Sequence, residues 1–182
     1  LLSKVRQLTF EGKRAGEGYF NAAGTRMIFQ SERDAANPFY QIFLMDLETG
    51  DVEQLSPGHG KTTCAWLHPS DRYALYASTH HDPEARSKMQ AELDFRASGK
   101  QRRYSWDYDH NFDIFAHDLA SGDRRNLTNT KGYDAEGAYS PDGKRVVFAS
   151  NRRAYSGEMT PAESRIFEHD KSYMMDIYIM DA

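Results

Sequence analysis

Residues 134–150 read DAEGAYSPDGKRVVFAS, and together with DIYIMD at 176–181 they define the architecture of this chain. Short runs with apolar residues lie on either side of Ser140-Pro141-Asp142-Gly143. In this tetrapeptide Pro presets φ for a type I turn, Asp bonds to local backbone and Gly takes an unusual backbone conformation. The pattern predicts a strand, a tight turn and a second strand, and the apolar run at 176–181 predicts a third strand.

The same pattern occurs twice earlier in the chain in weaker form. Each copy begins with a Leu followed by Thr or Ser, has a hairpin turn 16 residues later and a serine 7 residues after the turn. The Leu, turn residue and Ser are Leu8, Gly24 and Ser31 in copy one, Leu55, Asp71 and Ser78 in copy two, and Leu127, Gly143 and Ser150 in copy three. Fixed offsets across three copies indicate an internal repeat.

The spacing of the copies predicts their structure. The leucines are 47 and then 72 residues apart. The first spacing is close to the ~40–45 residues of a four-stranded propeller blade, and the second fits one blade plus an insertion. The third strand of each copy is apolar at consecutive positions, which is typical of a strand covered on both faces. We therefore predict an all-β fold, a β-propeller segment of about three four-stranded blades with two helix-containing insertions on one rim.

The repeat also predicts the limits of each blade. Blade three ends before its outer strand, and three blades cannot close a ring, so we expect the chain to continue into further propeller blades. Because the first residue is Leu1 and not Met, we expect the N-terminus to have been cut or processed. The predicted segments are 1–9 (an outer strand of a preceding blade, at Val5–Thr9), 10–56 (blade one), 57–128 (blade two, insertion 79–112) and 129–182 (blade three, insertion 151–175).

Both insertions contain a helix signal. Asp82-Pro83 combines an N-cap residue with Pro at the first helical position and predicts a helix to about Phe95. Thr160-Pro161-Ala162-Glu163 is a capping-box pattern and predicts a helix to about Glu168. In a four-stranded meander this connection lies at the same end as the loops between blades, so we expect the insertions to share a rim with 57–63 and 129–136. Elaborated loops on a rigid scaffold commonly carry binding.

Residues 138–152, AYSPDGKRVVFASNR, followed by DIYIMD, resemble the WD40-like repeat of TolB-type β-propellers. The third copy is a close match, whereas the first two lack the full Ser-Pro-Asp-Gly. The resemblance implies a ring of six or more blades, of which this chain is a part. It also implies a periplasmic or secreted protein of a class that binds partners in the bacterial envelope. The large insertions depart from the ordinary repeat of that family.

Composition excludes several classes of protein. The net charge is −4 and charges of both signs are mixed, whereas a nucleic-acid-binding surface needs a basic excess. No apolar run approaches the ~18 residues of a transmembrane segment. The single cysteine, Cys64, allows neither an intrachain disulfide nor a Cys-x-x-Cys motif. We expect Cys64 to be a small buried apolar residue.

Charged residues at the predicted channel mouth and rim are candidates for binding a protein or peptide. Carboxylates at the channel mouth could bind a cation or a basic peptide, or could instead pair with Arg and Lys of neighbouring blades. The rim loop at 57–63 contains Gly-Lys-Thr without the spacing or the following helix of a phosphate loop. The candidates are Glu17, Asp134 and Glu136 at the channel mouth, His59 and Lys61 in the rim loop, and Asp107 and Asp109 at the base of the first insertion.

A metal site has weaker support in the sequence. His80 and His81 flank one end of the first insertion, and Asp109 and His110 flank the other, so these four residues could approach each other. Histidine and carboxylate together can bind a metal, but adjacent histidines on a strand point to opposite faces. We expect these side chains to anchor the insertion. No cofactor is predicted beyond a possible Ca²⁺ or other divalent cation in the channel.

The leading hypothesis is a non-catalytic recognition module that binds a protein or peptide through its rim and channel mouth. No Gly-x-Ser-x-Gly nucleophile elbow is present, and no catalytic residue is predicted. One alternative is a substrate-gating propeller domain of a larger peptidase, prolyl-oligopeptidase-like or tricorn-like. Another is a propeller enzyme, such as a lyase or lactonase, with a metal in its channel.

Overall fold

The computed structural model describes residues 3–103 and 105–182, and it contains three antiparallel β-sheets joined in chain order. The first sheet is β1 (Arg14–Phe20), β2 (Arg26–Glu32), β3 (Gln41–Asp46) and β4 (Val52–Gln54). The second is β5 (Thr62–Leu67), β6 (Tyr73–Ser78), β7 (Asp113–Asp118) and β8 (Arg124–Asn126). The third is β9 (Asp134–Tyr139), β10 (Arg145–Ser150) and β11 (Asp176–Asp181).

In the described ranges, the helical segments lie between the second and third strands of a sheet. Helix α1 (Ala85–Ala97) joins β6 to β7, and a short 3-10 helix (Arg152–Tyr155) and α2 (Pro161–His169) join β10 to β11. The rim loops meet these insertions, since Lys61 N–H bonds Thr79 Oγ1 at 3.0 Å and Gly132 N–H bonds the His110 carbonyl at 3.0 Å. The prediction of an all-β fold with two helix-containing insertions on one rim is confirmed.

The internal repeat appears in the strand register. Each repeated serine pairs with the first residue of the third strand, as Ser31 with Gln41, Ser78 with Asp113 and Ser150 with Asp176. The aligned hairpin positions all adopt left-handed backbone, with φ of 69° at Gly24, 58° at Asp71 and 72° at Gly143. Gly fits this conformation without a Cβ clash, and Asp tolerates it better than most residues.

The sheets pack face to face in sequence, so that the inner strand of one sheet covers the sheet before it. Ile28, Ile42 and Leu44 of the first sheet pack against Ala65 and Leu67 of β5. In the same way, Leu75 and Ile114 of the second sheet pack against Tyr139 of β9 and the β10 side chains that follow it. Burial on both faces explains the continuous apolar runs of β3 and β7.

In the third sheet, no described residue covers the face that β5 and β9 cover in the first two sheets. Ile177 and Ile179 are 74% and 64% exposed, although they align with Ile42 and Leu44, which are buried in the first sheet. Val147, which aligns with Ile28 and Leu75, is also exposed. The apolar face of the third sheet is therefore equivalent to the faces that β5 and β9 cover.

Two local predictions differ from the structure. No strand forms at Val5–Thr9, because a single strand needs a neighbour to satisfy its backbone groups and the described residues supply none there. Helix α1 begins at Ala85 with Glu84 at its N-cap, and Asp82, two residues before Glu84, accepts the Glu84 N–H with its carboxylate at 2.9 Å. The capping box at Thr160 and Glu163 forms as predicted.

Neither helix in the described ranges combines the length and the apolar character needed to cross a membrane.

Candidate functional site

A cavity of about 880 Å³ lies on the rim, between the inner strands of the first two sheets and the first insertion. Strand β1, the loop before β3, the start of β5, helix α1 and the segment after α1 all contribute to its wall. Both insertions take part, since Lys171 belongs to the second one. The side chains used below are Arg14, Glu17, Tyr40, Lys61, Glu92, Arg96, Arg102, Arg103, Trp106, Asp107, Tyr108, Phe112, Tyr133 and Lys171.

Buried ion pairs fix the base of the first insertion beside this cavity. Lys61 Nζ lies 2.7 Å from Asp107 Oδ2 and 2.8 Å from Asp109 Oδ2, and Lys88 Nζ lies 2.9 Å from the same Asp109 oxygen. Lys88 also pairs with the buried Asp82 at 2.6 Å. Burial alone would raise the pKa of Asp109, but hydrogen bonds from both lysines outweigh it and hold that pKa well below its usual value. This network joins the rim loop, α1 and the return segment to β7.

A second buried carboxylate holds α1 against the first sheet. Glu32 lies 2.7 Å from Arg96 Nη1 and 2.9 Å from Arg14 Nε, and Arg96 also donates to the Pro38 carbonyl at 2.7 Å. Burial of Glu32 opposes its ionised form, yet the bonds from Arg96 and Arg14 lower its pKa overall. The partners are 64 residues apart along the chain, so helix α1 closes over blade one through this contact.

The acidic and basic members of these pairs differ in exposure. The side chains of Glu32 and Glu92 are 3% and 10% exposed, whereas those of Arg14 and Arg102 are 47% and 62% exposed. Glu92 pairs with Arg96 and Arg102 from below the cavity surface. The carboxylates of Glu32 and Glu92 therefore point inward, and the guanidinium groups of Arg14 and Arg102 face the solvent in the cavity.

Aromatic residues form another part of the wall. Tyr108 and Phe112 pack on Tyr133 with centroid distances of 5.2 and 5.4 Å and interplanar angles of 77° and 72°. The Trp106 indole N–H donates to the Tyr133 hydroxyl at 3.0 Å. Tyr133 is buried, and this burial raises the pKa of its hydroxyl. Its fixed position holds the exposed Trp106 at the cavity wall.

The predicted channel-mouth residues fall into two groups. Glu17 and Glu136 occupy equivalent bulges in the inner strands, and Cys64 is the third member of the set, with φ of 50°, 58° and 54° respectively. All three lie nine residues after the repeated Leu, so this offset could have identified Cys64 from the sequence. Glu17 lines the cavity, and Glu136 is exposed.

Asp134 belongs to the interior. It is fully buried, accepts a hydrogen bond from Ser150 Oγ and lies 2.8 Å from Arg152 Nη2. Burial raises the pKa of Asp134, although Ser150 and Arg152 oppose the rise. The expectation that Asp134 faces a partner at the channel mouth is therefore corrected, because this carboxylate anchors the start of the second insertion.

The Cys64 thiol is held in its protonated form. Burial raises the pKa of Cys64 to about 12, and the nearby Glu17 carboxylate adds to the rise. Since the thiolate is the nucleophilic form, the thiol is poorly suited to covalent catalysis at neutral pH.

The histidines considered as metal ligands lie in two places. His80 packs between His81 and His59 with ring-centroid distances of 4.2 and 6.0 Å, above the buried ring of Phe115. His110 contacts Tyr155, and Asp109 is engaged by the two lysines. Within residues 3–103 and 105–182, no group of three or more His, Cys, Asp or Glu side chains is arranged to hold a metal ion.

Comparison with known proteins identifies the fold. No protein-family model matches the chain, and no curated protein matches it in sequence. Among solved structures, TolB from Acinetobacter baumannii superimposes with a TM-score of 0.59 and 19% identity, over 96% of this chain and 31% of that chain. A putative TolB from Agrobacterium tumefaciens gives 0.60 and 15%, over 96% and 47%. The fold is that of a TolB-like β-propeller.

A further solved structure resembles the chain. The oligogalacturonate lyase of Vibrio parahaemolyticus gives a TM-score of 0.50 at 15% identity, over 89% of this chain and 35% of that chain. The chain thus spans between about a third and a half of the length of these structures. At these identities the similarity establishes the fold, and the function has to be argued from the cavity.

Proposed function

We propose that this chain is a non-catalytic recognition module that binds a protein or peptide segment in its rim cavity. The observation that carries the proposal is the cavity itself, about 880 Å³ between the inner strands and the first insertion. Its size lies within the range of about 300–1,000 Å³ that is usual for ligand pockets. The Lys61, Lys88 and Arg96 ion pairs fix its walls, so a ligand would meet a preformed site.

The chemistry of the wall supports binding of a polypeptide. Trp, Tyr and Arg are the residue types that dominate binding energy at protein interfaces, and Trp106, Tyr108 and Arg102 all line the cavity. The wall is formed largely by loops and insertions on a rigid β scaffold, which is the usual location of binding residues.

A cavity-filling variant tests the proposal. Gly16 lines the cavity, and a Cβ added there would meet no atom within 4 Å, so Gly16→Tyr places a ring in the cavity without a clash at the backbone. Ala15→Tyr is the matched control, because Ala15 is the exposed neighbour on β1 and does not line the cavity. Successive residues of a strand point to opposite faces.

The experiment selects peptides from a display library on the 182-residue chain and measures their dissociation constants by fluorescence anisotropy. We expect Gly16→Tyr to weaken the selected peptides at least tenfold and Ala15→Tyr to leave them within twofold. Circular dichroism of both variants checks their folding. Selected peptides that bind Gly16→Tyr as tightly as the unmodified chain would refute binding in the cavity.

A further inference from the structure

Most of the charged side chains that reach the solvent in the rim cavity are basic. Glu32 and Asp109 are buried behind the wall, and Glu92 is nearly so, while their basic partners reach the solvent. Two carboxylates remain accessible: Asp107, which pairs with Lys61 at 2.7 Å, and the half-buried Glu17 of β1. The cations accessible to a ligand, Arg14, Arg102, Arg103 and Lys171, outnumber them.

Two further cations come from different insertions. Arg103 follows α1 in the first insertion and Lys171 follows α2 in the second, and both line the cavity. Both side chains are exposed, and neither forms an ion pair with another residue of the described ranges. The ammonium of Lys171 lies over the Phe167 ring at 4.3 Å from its centroid, which stabilises its position without neutralising it. These two cations retain their full capacity to pair with a ligand.

The arginines already in pairs can also accept a ligand carboxylate. An Arg guanidinium has five N–H donors, and Arg102 uses one nitrogen for Glu92. Arg14 is held with its guanidinium carbon 4.4 Å from the Tyr40 centroid and pairs with Glu32 through Nε. Their remaining donors suit the planar, bidentate geometry of a carboxylate.

The accessible aromatic residues of the wall can hold apolar side chains of a peptide. Phe112 and Tyr133 are buried, so the aromatic surface left to a ligand is the exposed Trp106 and the half-buried Tyr108. Apolar side chains of a peptide can pack on these two rings, as aromatic and aliphatic anchors do at protein interfaces.

From this arrangement we infer that the cavity selects an acidic peptide segment, in which Glu or Asp residues alternate with apolar or aromatic residues. The acidic groups pair with Arg103, Lys171 and the exposed arginines, and the apolar groups pack on Trp106 and Tyr108. The inference rests on the proposed function and adds the chemical class of the partner.

The test uses three labelled peptides of equal length that share Phe positions and carry Glu, Gln or Lys at the remaining positions. We expect the Glu peptide to bind the 182-residue chain at least tenfold more tightly than the Gln peptide, and the Lys peptide to bind most weakly. The advantage of the Glu peptide should shrink as salt is raised from 50 to 500 mM, because the cations are solvent-exposed and screened. Equal affinity for the Glu and Gln peptides overturns the inference.

Charge reversal locates the selectivity. Arg103→Glu combined with Lys171→Glu should weaken the Glu peptide at least tenfold and strengthen the Lys peptide. The control is Arg125→Glu combined with Lys144→Glu, two exposed residues outside the cavity lining that give the same change in net charge. Equal loss in both double variants overturns the assignment to the cavity. An acidic oligosaccharide of equal charge that binds more tightly than the Glu peptide overturns the choice of a peptide.

These outcomes are separate from a failure of the proposed function. If Gly16→Tyr blocks selected peptides that turn out to be neutral or basic, the cavity binds peptides and only the acidic preference is wrong. If Gly16→Tyr blocks none of them, the recognition function of the cavity itself fails.

Discussion

Replacing Asp109 by Asn should release the first insertion from the propeller. The Asp109 carboxylate is 5% exposed and accepts bonds from Lys61 and Lys88 at 2.8 and 2.9 Å. Breaking a buried ion pair by removing one partner typically costs ~3–5 kcal/mol. In Asp109→Asn, Lys61 still pairs with Asp107 and Lys88 still pairs with Asp82. We therefore expect a lower cost of about 2–3 kcal/mol in the free energy of unfolding.

The neighbouring carboxylate provides the matched control. Asp107 contacts the same Lys61 at 2.7 Å but is 59% exposed, so Asp107→Asn should cost no more than about 0.5 kcal/mol. Urea unfolding measures both values, and hydrogen exchange measures local opening. Exchange in residues 79–112 should accelerate in Asp109→Asn more than in the third sheet. Equal effects of the two substitutions would refute the assignment of Asp109 as a buried anchor.

Three further predictions concern other parts of the fold. Burial beside His81 and His59 lowers the pKa of His80 from 6.5 to about 4, so its contribution to stability is complete above pH 6.5 and is lost as the pH falls towards 4. Allowing for partial exposure, this loss is about 1–2 kcal/mol in the free energy of unfolding. Urea unfolding of His80→Gln should not show this loss. A pH profile of His80→Gln identical to that of the unmodified chain would contradict the argument. The Cys64 thiol has a pKa of about 12, so it should react with iodoacetamide at pH 8 far more slowly in the folded chain than in 6 M guanidinium chloride. Equal reaction rates would show that Cys64 is accessible as the thiolate in the folded chain. Glu136 has φ of 58°, so Glu136→Gly should be neutral or stabilising by up to ~1 kcal/mol. Glu136→Val should destabilise the fold by ~1–2 kcal/mol in thermal unfolding. If the valine variant were the more stable of the two, backbone strain at the bulge would be excluded.

The repeated architecture could be predicted because its signals are local. Turn residues, apolar runs and the Thr160–Glu163 capping box specify structure over a few residues. Fixed offsets between copies then placed the insertions on one rim. Val5–Thr9, predicted as the outer strand of a preceding blade, forms no strand here, since a strand depends on a neighbour that local sequence does not supply.

The candidate site depended on contacts that sequence spacing does not reveal. Arg96 meets Glu32 across 64 positions of sequence, and Arg152 turns back from the second insertion to neutralise Asp134. The local sequence around a carboxylate near the channel mouth does not show whether that carboxylate faces solvent or pairs with an arginine. The candidate carboxylates differ in their burial. Asp109 and Asp134 are buried and anchor insertions, whereas Glu17, Asp107 and Glu136 stay accessible or partly accessible.

Four features predicted from the sequence remain predictions. They are binding through His59 or Lys61, a cation in the channel, a periplasmic or secreted location, and a gating role beside a peptidase domain. Of the residues at the rim, Trp106 and Arg102 were missed, because nothing in the local pattern distinguishes them from a solvated insertion.

We propose that an acidic peptide binds beside Trp106 in the rim cavity. The chain has two tryptophans, so Trp66→Phe leaves Trp106 as the only indole reporter. Titration of this variant with the Glu peptide should give a saturable change in tryptophan fluorescence, and the change should disappear when Gly16→Tyr is added. Binding of the peptide by anisotropy without any change at Trp106 would contradict the claim.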